Sequence, residues 1–443
     1  MFKRFSLYLL FVVGWFGIIL QSCKNNDDDY KTYPVTTQLV YPDNYTVKEG
    51  VSVTLTNTIN STAYSATTDS KGIAKFEVPA GVYEASATEK RSSGGKSFNF
   101  NGIKDFTVSN PWKESDIVPV NLTLSKSAQI IIKELYVGGC KKDDGSGSYI
   151  MDKYVILYNN SDNTASLDHL CLAMVIPYNG NATNYDYVGG SLFYDAEGWI
   201  PAGQGIWYFP DGLTIESGKQ LVIALNNAVD NTGTYSNSIN FAKSEYYCTY
   251  DIATYANTTY YPSPSTVIPT SHYLKAINYG TGNAWSLSTI SPAFFIFSTV
   301  DTTPADFAND ASKTSLYNGA ASQVRKKVPV DWIVDGIEVF KQGSTNYKRL
   351  TAKVDAGYVN FINGNGYTLY RNVDKEATEA IKTNSGKLVY SYSGGTTDQT
   401  DGTTDTSGID AEASIKNGAR IIYKDTNSST NDFHQRKKAS LRN

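Results

Sequence analysis

Strict alternation of apolar and polar residues over residues 51–88 constrains the fold of this chain more than any other feature. Val51, Val53 and Leu55 share one face of an extended segment, because successive side chains of a strand point to opposite faces. The pattern recurs around Phe76 and Tyr83, and the turn sequences Asp-Ser-Lys-Gly and Pro-Ala-Gly separate the repeats. The segment is therefore predicted to form half-buried strands.

The composition of the whole chain agrees with a folded, β-rich protein. Of its residues, 41% are hydrophobic and only 19% are charged, and it contains 33 tyrosines and 35 glycines. Helix signals are sparse: Thr303-Pro304 indicates the start of a short helix over residues 304–312, and a second is predicted over residues 374–382. We therefore expect an all-β protein.

The stretch TTDSKGIAKFEVPAGVYEASAT, residues 67–88, resembles a family of small β-sandwiches of the prealbumin-like, carboxypeptidase-regulatory or Cna-B type. The resemblance covers residues 33–126. It implies an N-terminal β-sandwich that acts as a spacer and carries no catalytic residues.

A second, larger unit is predicted over residues 128–443. It begins with the apolar strand around Ile132 and continues through further strand-like segments at residues 152–160, 165–178 and 209–226. This order resembles the lamin-tail-like immunoglobulin sandwich, here with long loop insertions. The chain departs from that family at Ile156, where the family usually has glutamate.

The N-terminal segment has the layout of a secretory signal, because Lys3 and Arg4 precede an apolar run that ends at Leu20. The sequence Leu20-Gln21-Ser22-Cys23 resembles the bacterial lipobox, in which the cysteine is acylated before cleavage. Residues 1–22 are therefore predicted to be a lipoprotein signal peptide. Lipidated Cys23 would hold the protein on outer-membrane lipid.

Residues 23–32 are predicted to be an acidic tether. Asp27, Asp28 and Asp29 resemble the export signal of Bacteroidetes surface lipoproteins, which implies a position on the outer membrane facing the outside of the cell. A solvated linker with a few acidic residues is the alternative.

The remaining cysteines, Cys140, Cys171 and Cys248, are odd in number, so at most one intramolecular disulfide bond can form and its pairing stays open. The chain has no C-x-x-C motif, and its 3 histidines are spread over the sequence. No metal site and no cofactor are predicted.

Catalytic motifs such as H-E-x-x-H and G-x-S-x-G are not found, so no catalytic residue is predicted. A carboxylate pair for glycoside hydrolysis needs only proximity in space. Acids in polar loops are usually solvated, so a non-enzymatic role is favoured. The acids available for such a pair are Glu134, Asp152, Asp195, Glu197 and Asp211.

Two later segments, VPVDWIVDGIEVF at residues 328–340 and YKDTNSSTNDF at residues 423–433, resemble an uncharacterised family of Bacteroidetes surface lipoproteins. Its members look like accessory proteins of SusC/SusD-type importers, which implies a non-catalytic binding component for uptake of a glycan or peptide. A surface hydrolase that trims glycans or peptides and an adhesive or structural surface protein are the alternatives. The net charge of −4 argues against a nucleic-acid partner.

Aromatic residues are frequent between residues 178 and 285, and two loops there, residues 178–187 and 255–265, contain the Asn, Gly and Pro typical of turns. Tyrosine and tryptophan offer flat apolar faces with one polar edge, which suit sugar rings and peptide side chains. If the two loops meet at one end of the sandwich, a surface that binds ligand or partner is predicted at Tyr185, Tyr187, Tyr260 and Tyr261. Aromatic side chains that fill the sandwich core are the alternative.

Overall fold

The computed structural model describes residues 31–43, 45–93, 96–110, 112–113, 115–126, 128–390 and 404–442. Strands dominate these residues and the helices are short, which confirms the all-β prediction. No helix within these ranges is long and apolar enough to cross a membrane. The predicted signal peptide, Cys23, and Asp27, Asp28 and Asp29 lie outside the described residues.

Residues 32–126 form what we call the small sandwich, in which two sheets face each other. Its strands are β1 (Thr32–Val40), β2 (Ser52–Asn57), β3 (Ala63–Thr67), β4 (Ile73–Pro79), β5 (Gly81–Ser93), β6 (Lys96–Val108), β7 (Ile117–Asn121) and β8 (Thr123–Lys126). In the described part of the chain, one sheet has the order β4-β1-β7 and the other β3-β2-β5-β6-β8.

The alternation in the sequence fixes which residues of the small sandwich point inward. Val53 and Leu55 on β2 and Tyr83 and Ala85 on β5 are fully buried between the two sheets. Gly72 closes the turn before β4 with a φ of +77°, a backbone conformation that side chains disfavour. The prediction of half-buried strands over residues 51–88 is confirmed.

The rest of the chain, residues 128–442, is called the large unit. Its strands are β9 (Ile130–Tyr136), β10 (Cys140–Lys141), β11 (Ser148–Tyr149), β12 (Tyr154–Asn159), β13 (Ala165–Ser166), β14 (Leu170–Met174), β15 (Tyr187–Val188), β16 (Ser191–Leu192), β17 (Trp199–Gly203), β18 (Gly205–Tyr208), β19 (Thr214–Ile215), β20 (Gln220–Ala224), β21 (Tyr247–Thr249), β22 (Tyr273–Asn278), β23 (Ala293–Ser298), β24 (Thr314–Leu316), β25 (Val324–Pro329), β26 (Ile333–Lys341), β27 (Val359–Phe361), β28 (Thr368–Arg371) and β29 (Phe433–Arg436).

One long sheet organises the large unit. Among the described residues its strand order is β27-β26-β23-β14-β18-β22-β21-β20-β12-β9-β28-β29. Strands near its two ends contact each other, β26 with β9 and β27 with β29, so the sheet wraps around a central hydrophobic core. Smaller pairings are β10 with β11, β13 with β19, β15 with β16, and β25 with both β17 and β24.

Several strands of the long sheet, among them β9, β12 and β14, are buried on both faces, which explains their continuous apolar sequence. On β12, Val155 and Leu157 point into the central core, whereas Tyr154 and Ile156 pack into an outer cluster around Tyr136. Ile156, the position that departs from the lamin-tail pattern, is therefore part of this outer cluster.

Short helices begin where the sequence predicts them. The hydroxyl of Thr303 accepts a hydrogen bond from the backbone N–H of Asp306 at 3.0 Å, and the carboxylate of Asp374 accepts one from Ala377 N–H. The helices are α1 (Phe193–Glu197), α2 (Pro304–Asn309), α3 (Lys375–Glu379), α4 (Ala411–Lys416) and α5 (Ser429–Asp432), with 3-10 turns at Thr270–His272, Ala311–Lys313, Tyr317–Gly319, Val330–Trp332 and Lys382–Asn384.

The three cysteines of the large unit are free and buried. Cys140 lies on β10, Cys171 on β14 and Cys248 on β21. Burial raises the pKa of the Cys248 thiol to about 12. Cys171 and Cys248 pack as small apolar residues, whereas the Cys140 thiol donates a hydrogen bond to the Asp152 carboxylate, with Sγ 3.8 Å from Oδ2.

Candidate ligand-binding cleft

The predicted aromatic surface at residues 255–265 is corrected by the structure. Tyr261 is fully buried, with its ring stacked on that of Tyr255 at a centroid distance of 5.6 Å, and its hydroxyl donates to the Trp285 carbonyl at 2.6 Å. Tyr260 is half-buried and packs against the same central core. The prediction was wrong for Tyr261, because the turn at Asn257 folds back and places the ring in the core.

The other predicted loop lies on a different part of the large unit. Tyr185 is 59% exposed and its ring lies 5.9 Å from that of Tyr317. Tyr187 is half-buried, packs against a separate core cluster and lies 6.1 Å from the ring of Tyr347. The contacts of the described residues do not join the four tyrosines into one surface.

A cleft of about 730 Å³ lies between the small sandwich and the large unit, and we call it the inter-unit cleft. This volume falls within the range of typical small-molecule sites. One wall comes from β5, β6 and the turn that follows β2; the opposite wall comes from the end of β26, the segment after it and β27.

Two carboxyl groups line the wall that belongs to the small sandwich. Glu84 on β5 lies directly opposite Asp105 on β6 in the antiparallel register, so both side chains share one face of the sheet. This is the outer face, since Tyr83 and Ala85 point into the core. The large unit covers part of this face, and Glu84 is only 7% exposed.

The environment of the two carboxyls favours their protonated forms. The pKa of Glu84 is raised to about 7, first because burial disfavours the charged form and second because the Asp105 charge is close. The nearby Tyr358 hydroxyl and the charge of Lys348 both act to lower the pKa of Glu84, but burial outweighs them. Burial also raises the pKa of Asp105.

No lysine or arginine among the described residues forms a salt bridge with Glu84 or Asp105. Lys348 instead donates to the carbonyl oxygens of Asp355, at 2.8 Å, and Gly357. The carboxyl pair is therefore held in the cleft without a direct cationic partner from the described chain.

The remaining lining combines apolar surface with side-chain amides. The rings of Phe340 and Tyr358 stack with a centroid distance of 4.4 Å, and Ile59 on the facing turn is 80% exposed. Asn57 and Asn346 hold the turns on the two sides in place through hydrogen bonds to backbone groups. Three further amides line the cleft: Gln342, Asn360 and Gln435.

A second groove, of about 280 Å³, lies between the same two units. Its lining includes Tyr187 and Asp195 from the large unit and Asn101 and Asn121 from the small sandwich. One predicted tyrosine and one of the acids considered for catalysis therefore lie at the boundary between the units.

The large unit also contains buried ion pairs, and the Glu338 and Arg349 pair is fully buried. Arg349 Nη2 lies 2.6 Å from Glu338 Oε1, and Glu338 Oε2 accepts the backbone N–H groups of Arg349 and Leu350, both at 2.8 Å. Arg349 also donates to the carbonyl oxygens of Pro177 and Ser291. These groups are engaged in holding the fold.

Arg371, at the end of β28, lies among three buried carboxyl groups. Its Nη2 donates to Asp335, and its Nη1 is 3.6 Å from carboxyl oxygens of both Asp425 and Asp432. Burial raises the pKa of Asp425 to about 7, and the neighbouring Asp335 charge adds to this. Arg371 is thus the cation around which this part of the core is built.

Sequence reasoning assigned no role to these charges, although it singled out the segments that carry them. Asp335 and Glu338 lie in the first segment that resembles the lipoprotein family, and Asp425 and Asp432 lie in the second. In the first segment, acidic residues within apolar sequence were a signal for a buried ionic core, whereas the second segment is polar and carried no such signal.

Two of the five acids considered for hydrolysis are fully buried and bonded within the fold. Glu134 accepts a hydrogen bond from the Tyr154 hydroxyl at 2.6 Å, and Asp152 accepts one from Ser238 Oγ at 2.8 Å. Burial raises the pKa of Asp152 to about 6. Asp195 is half-buried, and Glu197 and Asp211 are exposed.

The fold and the cleft define a class of protein: an all-β chain with a small sandwich, a large wrapped sheet and a ligand-sized cleft between them. The sequence profile of a family described as a protein of unknown function (DUF4876) matches residues 216–391. No curated protein matches the chain.

Solved structures give one informative likeness. A DUF4876 family protein from Bacteroides thetaiotaomicron VPI-5482 is similar at 18% sequence identity, over 90% of this chain and 94% of that chain, with a TM-score of 0.51. At this identity the likeness shows the fold alone. BcpA, the major pilin subunit of Bacillus cereus, matches at 11% identity over 70% of this chain and 95% of that chain, but its TM-score of 0.17 carries no argument.

Proposed function

We propose that this chain is a lipid-anchored surface protein of the bacterial outer membrane that serves as a non-catalytic binding component of a SusC/SusD-type uptake system. The observation that carries the proposal is the N-terminal segment, in which Leu20-Gln21-Ser22-Cys23 ends an apolar run and Asp27, Asp28 and Asp29 follow. This layout is an anchor followed by an acidic surface-export signal.

The distance from the anchor to the folded part fits this role. The first strand begins at Thr32, soon after Cys23. Because an extended chain spans at most about 3.5 Å per residue, the tether would keep the start of the small sandwich within roughly 30 Å of the membrane. The small sandwich would then act as a spacer beneath the large unit.

The comparisons support the bacterial group and add no activity. The match to the DUF4876 family over residues 216–391 and the structural likeness to its Bacteroides member agree with an uncharacterised Bacteroidetes family. The role in uptake rests on the N-terminal segment and on the presence of a ligand-sized cleft.

Lipidation is tested by the substitution Cys23→Ala. We expect the variant to remain uncleaved or to move to soluble fractions, because the Cys23 thiol is the acyl acceptor in this proposal. The measurement is cell fractionation together with radiolabelled palmitate incorporation. Lys24→Ala serves as a neighbouring control that keeps the anchor. Membrane retention of Cys23→Ala at the wild-type level would overturn the proposal.

Surface display is tested by replacing Asp27, Asp28 and Asp29 together with alanine. We expect less digestion by protease added to intact cells, with lipidation unchanged. Replacing Asn25 and Asn26 with alanine is the matched control, because it shortens the same side chains without removing charge. Full digestion of the aspartate variant on intact cells would show that the acids are only part of a linker.

The partner is tested by pull-down from solubilised outer membrane. A binding component should copurify with an importer, whereas an adhesive or structural protein should not. A turnover assay on glycan and peptide mixtures addresses the hydrolase alternative, and product formation by the purified protein would contradict the non-catalytic role.

A further inference from the structure

We propose that the inter-unit cleft binds a neutral oligosaccharide, with the carboxyl pair Glu84 and Asp105 bonded to its hydroxyl groups and with Tyr358 and Ile59 packed against its rings. This inference rests on the proposed function, since it names the class of ligand that the surface protein would take.

The carboxyl pair is the first support for this proposal, because the pair makes no visible contribution to the stability of the fold. Two acids directly opposite each other on adjacent antiparallel strands repel when both are charged. Burial of Glu84 adds a desolvation cost, and no salt bridge within the described part of the chain offsets it. Costly polar groups that line a cleft are typical of binding sites, where function is retained at the expense of stability.

The hydrogen-bonding character of the lining is the second support. Sugar hydroxyls both donate and accept, and a pair of carboxyl groups of which one is protonated can do the same. The Asn360 amide adds a group that can both donate and accept, whereas the Gln435 amide oxygen accepts a hydrogen bond from Ile362 N–H at 2.6 Å within the fold.

Charge distinguishes a neutral ligand from a cationic one. Lys341 lines the cleft, and the charge of Lys348 reaches Glu84. With these cations nearby and the pair held partly protonated, the cleft has little excess negative charge to attract a metal ion or a basic peptide. A hydroxyl-rich neutral ligand matches it better.

The apolar part of the lining is the third support. Sugar rings present C–H faces that pack on aromatic and aliphatic side chains. Tyr358 is half-buried with its ring stacked on Phe340, and its hydroxyl lowers the pKa of Glu84, so apolar and polar groups of the lining lie side by side. Ile59 extends this surface from the opposite wall, where its side chain is almost fully exposed.

The test uses the detergent-solubilised full-length protein and two probes: pooled neutral oligosaccharides released from plant cell-wall polysaccharide, and pooled neutral oligosaccharides released from mucin. Binding is measured by isothermal titration calorimetry and by the shift in thermal midpoint. We expect the wild type to bind at least one pool. Asp105→Ala and Ile59→Ser change exposed residues, and each should weaken binding about tenfold, as expected for about 1.4 kcal/mol.

Controls separate the cleft from general effects. Glu77→Ala removes an exposed acid on β4, outside the cleft, and should bind as the wild type does. No binding of either pool by the wild type would overturn the proposal, and so would equal binding by the wild type and the combined Asp105→Ala and Ile59→Ser variant. Binding of hexalysine or Ca²⁺ to the same residues in place of sugar would overturn it in favour of a cation site.

The two proposals fail in different ways. Asp105→Ala and Ile59→Ser should keep membrane anchoring and copurification with an importer while they lose sugar binding. Sugar binding by a protein that is not anchored through Cys23 would overturn the proposed function and leave the cleft proposal intact. Anchoring through Cys23 without sugar binding would overturn the cleft proposal and leave the proposed function intact.

Discussion

Two pairs of side chains each place a buried carboxyl group beside a second charged group. They are Glu338 with Arg349 in the large unit, and Glu84 with Asp105 in the cleft. In the first pair, the opposite charge and several backbone groups satisfy both partners. In the second, two like charges face each other, and the neutral Tyr358 hydroxyl only partly lowers the raised pKa of Glu84. The first arrangement stabilises the fold, and the second leaves hydrogen-bonding groups available to a ligand.

The comparison shows that burial alone does not tell a structural charge from a functional one. What differs is whether the neighbouring groups complete the hydrogen bonds and balance the charge. Loss of a partner from the satisfied pair should therefore cost stability, whereas removal of charge from the unsatisfied pair should increase it.

The largest effect is expected for Arg349→Met, which leaves Glu338 buried without its cation. Breaking a buried pair in this way costs about 3–5 kcal/mol of unfolding free energy. Urea denaturation followed by tryptophan fluorescence measures it. The double variant Glu338→Gln with Arg349→Met should recover part of the loss, because it removes the unpaired charge. A loss below about 1 kcal/mol would contradict the structural role.

The next largest effect is expected for Tyr261→Ala, which should lower the unfolding free energy by about 3 kcal/mol. The substitution removes a buried ring and leaves a cavity next to Trp207. Tyr185→Ala is the matched comparison on the other loop and should change stability by less than about 0.5 kcal/mol, since its side chain is mostly exposed. Thermal unfolding of the two variants distinguishes core from surface. Equal losses would show that exposure in the two loops has been misassigned.

The predictability of the fold follows from the range of the interactions involved. Alternation placed Val53 and Tyr83 in the core of the small sandwich, and side-chain caps placed Thr303 and Asp374 at helix starts, because these signals are local. Tyr261 was misplaced because its loop sequence is local, whereas the core that buries it comes from distant strands.

The candidate site was missed for the same reason. Alternation assigns Glu84 to the outer, solvent-facing side of β5, and nothing in the neighbouring sequence shows that Tyr358 will cover it. Its pairing with Asp105 depends on strand register, and the cleft depends on how two units meet. A sequence pattern carries neither kind of information.

Glu84→Gln should increase stability, and the gain should depend on pH. The folded-state pKa of about 7 lies above the ordinary glutamate value of 4.5, so the folded protein binds the proton more tightly than the unfolded chain does. Stability from this group is therefore fully present below pH 4.5 and is lost as the pH rises through 7. At pH 8 the variant should gain about 3 kcal/mol of unfolding free energy over the wild type, because each unit of the rise in pKa corresponds to about 1.4 kcal/mol, and at pH 4 the gain should be small.

Thermal midpoints at pH 4 and pH 8 measure this difference between Glu84→Gln and the wild type. Glu77→Gln, an exposed acid on β4, is the control and should show no gain that depends on pH. A gain at pH 4 equal to that at pH 8 would show that charge is not the cause. A loss at pH 8 would show that the ionised carboxylate stabilises the cleft.

The smallest effect is expected at a surface ion pair that matches the buried ones in chemistry but not in environment. Lys327 Nζ lies 3.7 Å from Glu197 Oε2, and the two side chains are 36% and 51% exposed. Water screens such a pair, so Lys327→Met should cost less than about 1 kcal/mol of unfolding free energy, part of it from the lost contact with the Trp199 ring.

High salt should reduce the ionic share of that cost, whereas the loss in Arg349→Met should persist, since salt does not reach a buried pair. Denaturation of both variants at low and high NaCl measures the contrast. A cost at Lys327 that approaches the one at Arg349 would show that burial is not what separates the two kinds of pair.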